Sequence, residues 1–324
     1  MNSVEYNFDP SYGYSLKQLL AIKTPTEPKE FDRFWQRRYQ QALSIDPHPQ
    51  LMPIAENHLG WRVLEIRYTS TDNLPILGWL LLPVSGVVKR GFIMGHGYGY
   101  GGLDETDFQL PFKEAALLFP CFRGLALSVH PAISADPYWH VLHDIHQRDR
   151  YILGGCVEDV WLAVSTLLSL FPHLAGHLGY LGISFGGGIG ALALAWESRI
   201  ARGHLNTPSF GHNPIRLRLV SNGSAESVQQ YYKTNKKQTL TVLRYHDAAL
   251  AAKRITMPIH CACALFDPCV APPGQFAIFN ALPGQKHLFI LEAGHHTYPN
   301  QAQQTTKLLE ELEVFFAPLL TEDN

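Results

Sequence analysis

The strongest constraint on this chain is a five-residue segment, Gly182-Ile183-Ser184-Phe185-Gly186, lying between an apolar run and a glycine-rich helical stretch. A G-x-S-x-G in that setting fits a strand-to-helix turn so tight that the serine backbone is strained. Glycine on either side leaves room for the turn, and the hydroxyl of Ser184 stands exposed at the start of the helix. The five-residue pattern is common by chance. Its position after a buried strand and before GGIGALALAWE removes most chance matches, leaving an ordinary serine in a glycine-rich turn as the alternative.

The rest of the chain supplies the frame such a turn needs. Residues 29–43 place Phe31, Phe34, Trp35 and Tyr39 on one face of a helix. Residues 61–68 and 77–82 alternate as strands about a turn at Asp72-Asn73, and GFIMG reads as a fully buried strand entering a glycine-rich loop. Further on, 112–118 reads as helix, 119–128 as strand, and 151–171 as a long amphipathic helix. Strands are expected at 178–183, 216–221, 258–265 and 287–291, with helices at 186–197, 273–282 and 301–316. This alternation predicts an α/β fold with a doubly wound, mostly parallel sheet, whose chemistry sits at the carboxyl ends of its strands. A length of 324 residues would allow two domains at about 150 each. Because the candidate residues run across what reads as one sheet, a single domain is expected. Its first 60 residues form an extension that packs on the body or on a neighbouring subunit.

A serine hydroxyl needs an imidazole to accept its proton and an acid to orient that imidazole. In α/β-hydrolase order these follow the serine as acid and then histidine. Asp267 follows the apolar strand PIHCACALF and His295 follows HLFIL by a short turn, so each lies at the carboxyl end of a strand. His296 competes with His295, which the Gly-His pattern favours. The amide of Phe185 supplies one oxyanion donor, and the loop His96-Gly97-Tyr98-Gly99 is placed to supply a second. His140, His143 and His146 lie three residues apart, yet no carboxylate or thiolate cluster completes a metal site, so a solvated or substrate-lining loop is expected. Neither phosphate-binding glycine pattern is present, and no cofactor is expected.

Composition narrows the partners. With 26 Lys+Arg against 28 Asp+Glu, the chain gives no electrostatic case for nucleic acid or an anionic membrane, and its near-neutral balance fits an uncharged substrate. Hydrophobic residues at 46% exclude disorder. Five cysteines make no disulfide scaffold, and Cys261 and Cys263 read as free core thiols suited to a reducing compartment. The start MNSVEYNFDPSYGYSL lacks a basic segment followed by an apolar one, and the apolar stretch 74–88 is interrupted by Pro75 and Pro83. A soluble, cytoplasmic protein is expected.

At this point the sequence resembles the acetyl xylan esterase / cephalosporin-C deacetylase group of α/β-hydrolases. The segments that carry the resemblance are TPTEPKEFDRFW, GHGYG, YHDAALAAKRITMPI and FDPCVAPPGQFAIFNAL. It implies Ser184 as nucleophile, Asp267 as acid, His295 as base, oxyanion donors at Tyr98 and Phe185, and a ring-like homohexamer. Three positions depart from the family pattern. Phe185 stands where the elbow usually carries Gln, Arg123-Gly124-Leu125-Ala126 keeps half of an Arg-Gly-Gln-Gly motif, and His296 replaces a Glu. The implied activity is a serine carboxylesterase acting on short acetyl esters, such as O-acetylated carbohydrates. Two alternatives share the fold: a prolyl-oligopeptidase-like hydrolase of peptides or amides, and a non-catalytic binding protein.

Overall fold

The computed structural model describes residues 6–54 and 58–320. The first five residues of the start discussed above lie outside the described residues. Among the described residues nine strands form one sheet. In chain order they are β1 Gln50–Pro53, β2 Trp61–Thr69, β3 Pro75–Pro83, β4 Arg90–Gly95 and β5 Ala115–Pro120, then β6 Leu178–Ile183, β7 Arg202–Asn206, β8 Ile259–Ala264 and β9 Lys286–Leu291. Their spatial order is β1-β2-β3-β5-β4-β6-β7-β8-β9. The pairs β1–β2, β2–β3 and β3–β5 are antiparallel, and every pairing from β5 to β9 is parallel.

The sequence pattern explains this division. All six residues of β4, β5 and β8 are buried, as strands covered on both faces must be. β2 instead alternates between buried and exposed positions, as a strand with one covered face does. One face of the sheet carries the helices Phe31–Leu43, Ile152–Leu170, Phe185–Ala193 and Pro272–Ala281 over a large apolar core. The other carries Gln301–Phe316 over a smaller core, where Phe92 stacks on Phe112 at 4.4 Å and meets Phe316 edge-on at 5.1 Å.

Several elements differ from the sequence reading for identifiable reasons. KEAALLF looks helical by propensity, but 115–120 is the buried strand β5, inserted between β3 and β4; tertiary pairing overrides local preference. Of the expected strand 119–128 only Phe119 and Pro120 lie in the sheet, at the end of β5, while 121–128 leaves it as a loop, and 216–221 is a helical turn and loop rather than a strand. The strand between β6 and β8 is β7, RGHLN, too short and polar to stand out. Helix Ile152–Leu170 is buried along most of its length, not amphipathic. It is also long and apolar enough to cross a membrane by length and composition, yet 83% of its most apolar stretch is covered by the fold. The aromatic face of Phe31–Leu43 packs on the chain's own body. Trp35 stacks on Trp196 at 5.6 Å and donates from its indole nitrogen to the Tyr245 carbonyl at 2.8 Å.

Candidate active site

Ser184 directly follows β6 and stands at the N-cap of the helix Phe185–Ala193, with φ 53° and ψ −111°. That conformation costs a non-glycine residue on the order of 1–3 kcal/mol, so the surroundings must hold it. Three backbone bonds do so. The Ser184 N–H donates to the Asn206 carbonyl at 2.8 Å, and its carbonyl accepts from Gly188 and Ser209 at 3.0 Å. The turn packs so tightly against β4 that a Cβ on Gly186 would lie 2.2 Å from the Gly95 carbonyl oxygen.

The structure brings Ser184, His295 and Asp267 into one hydrogen-bonded line. His295 Nε2 is 2.9 Å from Ser184 Oγ, and His295 Nδ1 is 2.9 Å and 3.1 Å from the two Asp267 oxygens. Gly294 makes this approach feasible, since a Cβ there would sit 2.4 Å from Asp267 Oδ2. Asp267 has no exposed surface. Its carboxylate also accepts from the Cys269 and Val270 amides at 2.9 and 2.8 Å, and from Gln275 Nε2 at 3.0 Å. With Asp267 accepting at Nδ1, His295 Nε2 is free to accept the Ser184 proton. Burial disfavours the charged form of His295, but the hydrogen bond and charge of Asp267 outweigh it and raise its pKa above the ordinary 6.5. His296 faces away, 3.0 Å from the Tyr6 hydroxyl.

The loop after β4 reaches the serine from the other side, where a Cβ on Gly97 would lie 3.5 Å from that of Ser184. Among the described residues neither the Tyr98 nor the Phe185 N–H has a protein acceptor. The loop is fixed by two histidines that burial keeps neutral, each with its pKa pushed down to about 4. His96 donates from Nδ1 to the Gly97 carbonyl at 2.7 Å and accepts at Nε2 from the Phe122 amide at 3.1 Å. His140 accepts from the Tyr98 hydroxyl at 2.8 Å and donates to the Arg123 carbonyl at 3.0 Å. His140 is therefore a buried support of this loop rather than part of a solvated one, and nothing in its spacing from His143 and His146 reveals it.

Phe185 is buried among aromatic rings, with Tyr98 at 4.3 Å and Phe122, Phe210 and His140 at 5.3 to 5.7 Å. The side chain thus fills the space behind the turn while its amide stays at the serine. Leu125 likewise packs into the core. Ser184 and His295 open into a cavity of about 600 Å³, walled by Tyr98, Tyr138, Phe210, Arg216 and the loop 221–225. Cys269 also lines it, but burial and the nearby Asp267 push its thiol pKa up to about 11, so it is no nucleophile at neutral pH. Gln275 and Arg216 escaped the sequence reading: one lies within a helix, the other in a segment taken for a strand.

A mostly parallel sheet with a serine on a strained strand-to-helix turn, and an aspartate and histidine at the ends of later strands, defines an α/β-hydrolase fold. The acetyl xylan esterase (AXE1) family model matches residues 13–312, and the chain belongs to that family of esterases. Among solved structures, acetyl xylan esterase from Paenibacillus sp. R4 superposes with a TM-score of 0.80 at 20% identity, covering 92% of this chain and 99% of that one. Acetyl xylan esterase 1 from Thermoanaerobacterium sp. JW/SL YS485 gives 0.79 at 19% identity, with coverages of 94% and 99%. An acylaminoacyl peptidase from Pyrococcus horikoshii shares the fold at 0.63 and 16% identity over 82% of this chain and 43% of its own.

Proposed function

We propose that this esterase hydrolyses short acetyl esters of small hydroxylated molecules, O-acetylated carbohydrates among them, through Ser184, His295 and Asp267. The observation that carries the reading is the unbroken line from Asp267 through His295 to a strained serine at the mouth of a cavity. Ser184 Oγ attacks the ester carbonyl carbon while His295 Nε2 takes the hydroxyl proton. The Tyr98 and Phe185 amides, the latter at the positive end of its helix, hold the oxygen that becomes negative. The imidazolium returns its proton to the leaving alkoxide, leaving an acetyl-enzyme. Water, activated by the same imidazole, then releases acetate and restores the serine. The cavity is of a size that takes a small ligand, and Ser209, Ser221, Asn222 and Ser224 among its lining suit hydroxyl groups.

Purified protein is expected to turn over 4-nitrophenyl acetate faster than the butyrate or octanoate ester. Ser184→Ala should lower kcat by about 10⁴-fold or more. Equal turnover by both proteins would overturn the reading.

A further inference from the structure

Among the described residues, one cation in the wall of this cavity has neither an ion-pair nor a side-chain hydrogen-bond partner. Arg216 ends the short helix Asn213–Arg216. Its carbonyl accepts from Gln229 Nε2 at 2.7 Å, which fixes where the side chain begins. Its guanidinium carbon lies over the face of Phe210, 5.2 Å from the ring centroid. Among the described residues no carboxylate lies within ion-pair reach of it and no side-chain N–H of it is donated to a protein acceptor. Asp247, whose charge is felt at Arg216, is occupied elsewhere: it accepts from the His212, Asn213 and Ala249 amides at 3.0, 2.6 and 3.0 Å. Burial lowers the Arg216 pKa, with the charge of Asp247 acting the other way. Among the described residues the one carboxylate in the cavity wall, Asp104, is exposed and caps the helix Glu105–Phe108.

A half-buried guanidinium laid on an aromatic face and lacking a carboxylate partner presents its planar fork of donors to an incoming anion. Arg216 lines the same cavity as Ser184. We infer that Arg216 binds a carboxylate of the substrate, so that the preferred ester is an acetyl ester of a carboxylate-bearing alcohol, an acetylated acidic sugar for example. The anion must belong to the alcohol half, because an acetyl group has no ionisable atom. This specificity rests on the esterase reading of Ser184. It also departs from the uncharged substrate suggested by the near-neutral composition, since a net charge averages over the surface and cannot report one unmatched cation in a cavity.

The test compares 3-acetoxybenzoate with methyl 3-acetoxybenzoate, each kcat/KM divided by the ester's spontaneous hydrolysis rate. The wild-type ratio should favour the carboxylate by at least about 10-fold, and Arg216→Gln should lower that ratio by about 10- to 100-fold. Arg216→Lys should retain part of it, keeping charge without the fork. Because each ratio is internal to one protein, partial misfolding of a variant cancels. Should Arg216→Gln not fold, wild-type inhibition by 3-hydroxybenzoate is compared with that by 3-hydroxybenzamide. The anion should bind at least about 10-fold tighter. A wild-type ratio near one, an unchanged ratio in Arg216→Gln, or equal inhibition would overturn the inference while 4-nitrophenyl acetate turnover keeps the esterase reading intact. Loss of that turnover advantage over Ser184→Ala would overturn both.

Discussion

Asp159 and Asp267 are both fully buried aspartates, yet only Asp267 is bonded to a side chain, His295, that lines the cavity. Asp159 accepts from the Ser70 hydroxyl at 2.6 Å and from Arg123 through its backbone, Nε and Nη2 groups. Beside it, Glu158 accepts from the Thr71 hydroxyl at 2.6 Å and pairs with Arg38 at 2.7 Å. Arg123 adds a bond to Thr71 at 2.8 Å, so the cluster is closed and every charge in it is matched. Asp267 is bonded as fully, by two amides, Gln275 and His295. The difference lies in the partner. A guanidinium keeps its proton throughout the accessible pH range, whereas an imidazole exchanges one and here carries its other nitrogen to Ser184. A buried, well-bonded carboxylate is thus not in itself a mark of chemistry; a titratable partner with an open side is.

The same substitution at the two aspartates should separate these roles. Asp267→Asn is expected to lower kcat by about 10³- to 10⁴-fold, because it favours the wrong imidazole tautomer and leaves the imidazolium unsupported. It should also change the pH profile. His295 acts as base in its neutral form, so wild-type kcat/KM rises with pH through an inflection above 6.5. Without the charge of Asp267 only burial remains, which lowers the histidine pKa, and the inflection should move to lower pH. A loss under tenfold with an unmoved inflection would remove Asp267 from the mechanism.

Asp159→Asn is the next largest effect, and it falls on stability. Leaving Arg123 buried without its nearest counter-charge should cost about 3–5 kcal/mol in urea unfolding, while kcat per folded molecule changes less than about tenfold. If the rate collapses and stability holds, the distinction between the two clusters fails. The link from the Arg123 carbonyl through His140 to Tyr98 makes that a real comparison, since it ties the closed cluster to the loop beside Ser184.

What the sequence disclosed follows the same division. Ser184, Asp267 and His295 could be picked out because each stands at the carboxyl end of an apolar run, and the topology of a parallel sheet gathers such ends together. Elements whose state depends on partners could not. β5 has helix-forming residues and becomes a strand only because β3 and β4 flank it. β7 lacks an aliphatic run. The alternation of Arg216-Leu217-Arg218-Leu219 mimics a half-buried strand, but it belongs to a helical turn that directs one arginine to the cavity and leaves Arg218 exposed. Unpaired status is a property of three-dimensional surroundings, so no local pattern could have marked Arg216.

The smallest expected effect sharpens the contrast between the matched arginine and the unmatched one. Arg123 is held by Asp159 and hydroxyls, and removing its charge partner strands a buried ion. Among the described residues Arg216 has no counter-charge to strand, so Arg216→Gln should shift the unfolding free energy by no more than about 1 kcal/mol, and a gain is as consistent as a loss because an unpaired, half-buried charge disappears. Chemical denaturation of the ligand-free protein measures it. Adding 3-hydroxybenzoate should raise the midpoint of wild type, since a ligand that binds only the folded state stabilises it by mass action, and should raise that of Arg216→Gln less. A loss above about 2 kcal/mol without ligand would make Arg216 a structural cation like Arg123, serving the wall of the cavity instead of what enters it.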